Sequence, residues 1–288
     1  MDEAREFYAA GRLSEAIADL KQTVKSTPTD AGQRSFLFGL LCFAGEYEGA
    51  VKQLDVIALQ SAQSEAGVQV YRNVLEAEKK RLHVFEGEQA PEFLLPPPSF
   101  VPKNLAAVKA LQENNVTEAK VLLNQVSEAC QRQKGDVDGH AFSQFADCHD
   151  LIAPILELII HDKYFWLPFE QIKQMEIEKP ARLQDLLWIS TKLELVDGQV
   201  LGGYIPTRYA LSHEHDNELV QLGRMTDWQV VAEEICIVHG QRMFFMPDES
   251  ESLEPGWKPG LRSRRMSLSD ESERPLLETR SVTFEREG

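Results

Sequence analysis

The sequence predicts a chain of mixed class, multidomain α and β, with antiparallel helical repeats first and a small antiparallel β domain after them. Three observations predict it. A motif built on a helix-breaking glycine recurs after 34 residues, "GRLSEAI" at 11–17 and "GEYEGAV" at 45–51. Apolar residues up to residue 132 keep the helical period. Beyond residue 132 the texture changes to short apolar runs separated by tight-turn residues.

The 34-residue spacing is the period of the tetratricopeptide (TPR) helix-turn-helix repeat. Residues 2–10 read as a helix that Gly11 breaks. Leu13, Ile17, Leu20 and Val24 then fall on one helical stripe, and Pro28 follows as a stop. In the second unit "QRSFLFGLLCFA" (33–44) is a strongly apolar helix, broken by Gly45. Val51, Leu54 and Ala58 repeat the stripe. Ala16 and Ala50 take the small position where the two helices of a unit cross closely. A third match, "NNVTEAKVLLNQV" (114–126), puts Ala119 in that position, 69 residues after Ala50. A weaker unit is therefore expected between them, opened by a long helix over 65–85. The Pro-rich "APEFLLPPPSFVPK" (90–103) is an extended linker. These readings give a TPR-like helical repeat domain over 1–132.

Residues 133–163 read as a connecting segment, a polar loop (133–140) and then a helix (141–162) interrupted at Pro154. The β domain is expected over 164–288. "YFWLP" (164–168), "DLLWISTKLELV" (185–196) and "VLGGYIP" (200–206) read as strands, with the Asp197-Gly198 turn between the last two. "ICIV" (235–238) and "MFFM" (243–246) flank a turn. Together they suggest a small antiparallel barrel or curled sheet. The polar stretch 249–274 reads as a flexible insertion, and "PLLETRSVTFE" (275–285) as a last strand returning to the sheet.

The formal net charge is −16, and residues 249–288, with nine acids and seven bases, carry little of it. An acidic body repels phosphate backbones and anionic membrane surfaces, so nucleic-acid and membrane binding are not expected. The longest apolar run, "LIAPILELII" (151–160), contains Glu157 and Pro154 and is too short to span a bilayer. The N-terminus shows no secretory h-region. The four scattered cysteines form no C-x-x-C pair. A cytoplasmic location is the expectation.

Five C-terminal stretches, "KYFWLPFEQIKQMEI" (163–177), "DLLWISTKLEL" (185–195), "GGYIPTRYALS" (202–212), "LGRMTDW" (222–228) and "GQRMFF" (240–245), together resemble the ImpE/TagJ-type accessory proteins of bacterial type VI secretion. The resemblance covers nearly the whole chain. It implies a TPR-like N-terminal part, an SH3-like C-terminal β part and a cytoplasmic, non-enzymatic role. The implied partners are the small subunit of the contractile sheath, through a terminal helix, and the AAA+ ATPase that recycles the sheath.

No catalytic, cofactor or metal residues are predicted. His213-Glu214-His215 alternate in direction and lack a third ligand. Asp136-Val137-Asp138-Gly139 begins like a calcium loop, but Phe145 stands where the bidentate acid belongs. Cys148, His149 and Asp150 are consecutive and cannot form a triad by themselves. No nucleotide or serine-hydrolase fingerprint is present. Trp166, Trp188 and Trp228 read as core more readily than as a peptide groove. "RSRRMS" (262–267) resembles a kinase site within a solvated linker. Of the alternative readings, an unrecognised hydrolase lacks a convergent polar constellation, and a general TPR co-chaperone or peptide-binding assembly factor clamping acidic tails needs several cations on the first helices of the units. Only Arg5, Arg34 and Arg72 are offered. Tyr8, Arg34 and Phe38, on those helices, are the candidate partner-binding residues of a concave surface.

Overall fold

The structure, a computed structural model, describes residues 3–60, 62–231, 235–247 and 272–286. The N-terminal part is helical. α1 (Glu3–Ala9) and α2 (Leu13–Ser26) form one hairpin, and α3 (Ala31–Phe43) and α4 (Tyr47–Ala58) a second. The 24-residue α5 (Ala62–Phe85) follows, then a last hairpin of α6 (Val101–Gln112) and α7 (Val116–Ala129).

The three hairpins turn in the same way. Gly11 and Gly45 sit at φ +80° and +73°, and in each turn the next amide reaches back across the turn, Arg12 to Phe7 O and Glu46 to Leu41 O. This left-handed helix stop satisfies carbonyls that the helix end leaves open. The third hairpin makes the same bonds with Asn114 (φ 58°) in the glycine position, and Asn115 reaches back to Ala110 O. Asparagine tolerates this conformation better than most side chains. Ala16, Ala50 and Ala119 are fully buried beyond these turns. α1–α2, α3–α4 and α6–α7 therefore repeat one unit.

The C-terminal part is an antiparallel sheet. Its eight strands are β1 (Gly135–Val137), β2 (His140–Phe142), β4 (Ile155–Ile160), β5 (Lys163–Pro168), β6 (Ile172–Ile177), β7 (Trp188–Leu195), β8 (Val200–Pro206) and β13 (Ser281–Phe284), in the spatial order β2-β1-β13-β6-β7-β8-β4-β5. β3 (Ala146–Asp147), β11 (Met243–Phe245) and β12 (Glu273–Pro275) make a second small sheet. β9 (Thr226–Val231) and β10 (Ile235–Gly240) make a two-stranded ribbon, preceded by the short α8 (Glu218–Gln221).

Three sequence expectations change here. The eight-stranded sheet is open, because no pairing among the described residues joins β2 to β5. Residues 133–163 hold the β1–β2 hairpin, β3, a short 3-10 turn and β4 in place of a loop and a helix. β4 misled because it is buried on both faces: Ile155 and Ile159 join the core shared with the helices, and Leu156 and Leu158 join the core on the other side of the sheet. Such a strand reads as a continuous apolar run without alternation. Of the expected last strand, Pro275 ends β12 against β11, Leu276–Glu278 is a 3-10 turn, and Ser281–Phe284 pairs between β1 and β6. The expected insertion at 249–274 lies outside the described residues except for Ser272–Arg274.

The unit that α5 opens has no second helix. The linker after α5 instead runs beside β5. Glu92 N donates to Tyr164 O at 2.9 Å, Trp166 N donates to Glu92 O at 3.1 Å, and Lys163 pairs with the Glu92 carboxylate. The linker thus covers the edge of β5, which would otherwise present unpaired backbone groups.

Candidate functional site: the seam between helices and sheet

One hydrophobic cluster runs from Ala4 through α2–α7 to Ile155, Trp166, Trp188, Leu222 and Ile235, so helices and sheet share a core. α3 is buried continuously from Phe36 to Phe43. A Cβ on Gly39 would overlap Leu183, and Gln184 donates to Ser35 O, so the segment before β7 lies directly on α3. The inner face of the second unit and of α5 is covered by the chain's own sheet part.

At the centre of this seam is a buried ionic network. Arg81 on α5 donates through Nε to Glu157 Oε1 at 2.6 Å and through Nη1 to Glu78 at 2.8 Å. Glu157, on β4 and fully buried, also accepts from Arg242 Nη2 and from Tyr164 OH. Arg242 continues to Asp147 at 2.7 Å, and Trp188 Nε1 donates to Glu78 at 2.9 Å. Trp166 Nε1 donates to Tyr164 OH. Burial opposes ionisation of Glu157, but the guanidiniums of Arg81 and Arg242 outweigh it and hold the carboxyl down at about 2. Burial pushes Asp147 up to about 6, against Arg242. Arg208 lies beneath the end of α3, donates to Cys42 O and Phe43 O and stacks over the Phe43 ring. That is the end of the helix dipole a cation favours.

A second set of contacts fastens the segment around α8 to the repeat turns. Leu219 packs on Gly11, and the His213 ring fills the space beside Gly45 and meets Tyr47 edge-on at 6.0 Å. The Glu218 carboxylate accepts from Leu13 N (2.8 Å), Ser14 N (2.9 Å) and Ser14 Oγ, capping α2 from 204 residues away. Arg224 donates to Ala9 O and stacks over Tyr8 at 4.3 Å. The two turn glycines therefore serve twice, for positive φ and for close approach of the sheet part.

The candidate residues do not converge. Tyr8 is half-buried, edge-on to Phe36 at 5.7 Å and under Arg224. Arg34 points to the other side of α3, donating to Pro28 O and to Gln53 on α4. Phe38 is 1% exposed against Tyr71 of α5, where it fills the core and is out of a partner's reach. The tryptophans at 166 and 188 are buried, and Trp228 is half-buried beside Cys148 and Phe245. Asp136 and Asp138 build the β1–β2 turn: Asp136 accepts from Gly139 N, and Asp138 accepts from Arg280 N and Ser281 N. His149 caps Leu151 N, and Asp150 accepts from Cys236 N. His213 and His215 serve the α8 segment. An exposed trio with ligand atoms close together, His83, Glu86 and Glu88, ends α5. None of the seam's charged residues was singled out for a site from the sequence. The one available signal was Glu157 standing inside the otherwise apolar run of β4.

The described residues thus form a repeat array clamped on an open antiparallel sheet by buried ion pairs, with segments of the sheet part filling the array's turns. The ImpE protein family model matches residues 139–254. The type VI secretion system accessory component TagJ of Pseudomonas aeruginosa is 32% identical over 241 residues, 84% of each chain. The chain belongs to this ImpE/TagJ family of type VI secretion accessory proteins. The crystal structure of protein VPA1032 from Vibrio parahaemolyticus shares the fold, with a TM-score of 0.84 and 19% identity over 99% of this chain and 98% of that one. Among the described residues no helix is long and apolar enough to cross a membrane.

Proposed function

We propose that the protein is a non-enzymatic, cytoplasmic adaptor of type VI secretion that binds a terminal helix of the small sheath subunit and links it to the AAA+ ATPase that recycles the sheath. The observation that carries this reading is kinship with TagJ across most of both chains. The curled sheet is the SH3-like part in this proposal, and 1–132, 133–163 and 164–288 its domain, connector and β domain. The binding surface in this proposal is the end of the array that the seam leaves open. With α3 and α5 covered, the accessible end of the array is the first unit, where Arg5 stacks over Phe36 and Arg224 over Tyr8. Tyr8 is the contact residue there. Arg34 belongs to a separate surface beside α4, and Phe38 supports α3 from within.

Isothermal titration of the sheath-subunit helix against folded variants tests this. Tyr8→Ala and Arg224→Glu are expected to weaken binding at least tenfold, about 1.4 kcal/mol, with Arg34→Glu unchanged. Loss with Arg34→Glu alone moves the surface to the α3–α4 side. Unchanged affinity in all three removes the array from the interaction.

A further inference from the structure

We propose that the segment from Ser212 to Arg224 is an acid-sensitive latch: protonation of His213 within it and of His239 beneath it loosens it from the turns of the helical array, while the buried ionic network keeps the two parts joined. This inference does not depend on the binding surface proposed above.

The geometry gathers the needed groups in one place. Of seven histidines in the chain, His213, His215 and His239 line this segment and the strand beneath it. His213 is wedged against the Gly45 turn, where no larger residue than glycine fits. The groups facing it are Tyr47 from α4, Arg208 beneath, Glu214 with its Oε1 3.8 Å away, and Glu78 and Arg81 further off. Burial lowers its affinity for a proton, and Arg208 lowers it further. His239 lies under the segment with its Nδ1 buried and without a hydrogen-bond partner. It faces His215, whose ring is 5.8 Å away, with Asp227, Glu214 and His149 around them. Burial lowers its proton affinity first and His215 second. His215 bonds Asp227 through Nε2 at 3.2 Å and accepts from Asn217 N through Nδ1.

The signs agree. His213 and His239 bind protons less readily in the latched state than when released. Their contribution is therefore complete above the ordinary histidine pKa of about 6.5 and is lost as pH falls below it. Glu218 works in the same sense at lower pH. Burial opposes its ionisation, but its bonds to Ser14 and Leu13 lower its pKa overall, so its cap is lost only below the ordinary carboxylate range. Glu157 is held much lower still. His149 makes the core itself acid-sensitive, so local release must be read separately from global unfolding.

Hydrogen–deuterium exchange on the full chain at pH 7.5 and 5.5, corrected for intrinsic rates, reads it. Protection at Leu13–Ser14 and across 212–224 is expected to fall at least tenfold more than protection across 155–168. The double variant His213→Gln/His239→Gln is expected to remove that difference. An equal change in both regions of the wild type, or a difference that persists in a folded double variant, overturns the latch. Should the double variant not fold, proton NMR titration of the wild-type histidines decides: midpoints for His213 and His239 below the ordinary histidine value of about 6.5 support the latch, and midpoints at or above it overturn it.

Discussion

Glu157 is shared by two arginines, with no solvent to replace either. A buried pair adds little compared with an apolar substitute, but removing one member strands a charge. Glu157→Gln takes the shared carboxylate from both guanidiniums and leaves Arg81 with Glu78 and Arg242 with Asp147, so we expect a loss of about 3 kcal/mol, the lower end for a broken buried pair, read as a lower urea midpoint at unchanged m-value. pH acts through neighbouring groups in opposite senses. Burial lowers His149 to about 3, so its contribution is complete above the ordinary histidine range and is lost as pH falls toward 3. Asp147, raised to about 6, gains stability over part of the same descent. Removing the lowered group isolates its part: His149→Gln should raise the urea midpoint at pH 5 relative to that at pH 7, compared with the wild type. Glycines give a third residue-scale test. Gly45 and Gly198 both sit at positive φ, but only Gly45 has a neighbour where a Cβ would go. Both alanine variants pay backbone strain of about 1 kcal/mol, and Gly45→Ala should cost measurably more because His213 must move.

At the scale of elements, the helix crossings and the last strand make the predictions. Ala50→Leu inserts three carbons into a crossing with no exposed surface, at an expected cost of about 1–3 kcal/mol. Ending the chain at residue 274 removes β13 from between β1 and β6, so the sheet part should melt at lower temperature. An unchanged melting curve would show that β13 adds nothing. Elements were legible where their chemistry is local. Gly11 and Gly45 announced their turns because a left-handed residue favours glycine, and β8 was bounded correctly by Asp197-Gly198 and the residues around Pro206. β4 was not legible, because two-sided burial erases the alternation that marks a strand. The seam was not legible either. Arg81 and Glu157 are 76 residues apart, and Glu218 and Leu13 are 205 apart. Such pairs leave no periodic trace in a sequence.

For the molecule as a whole, the shared core means that the array is not an independent module. Residues 1–132 expressed alone would expose the apolar faces of α3 and α5 to water, and we expect a dye-binding, non-cooperatively melting species. A sharp transition near that of the full chain would contradict this. The position of β13 has a kinetic consequence. The helical hairpins join residues a few turns apart and close quickly, but β1 at 135–137 pairs with β13 at 282–284. Long-range pairings of this kind form slowly, because a large loop must close before any bond rewards it. During refolding the array is therefore ready before the sheet that covers it. The interval leaves α3, buried without a break from Phe36 to Phe43 in the finished molecule, exposed to other copies. Recovery of native protein should consequently fall as refolding concentration rises, with yield set by how fast the sheet closes rather than by how stable the finished molecule is.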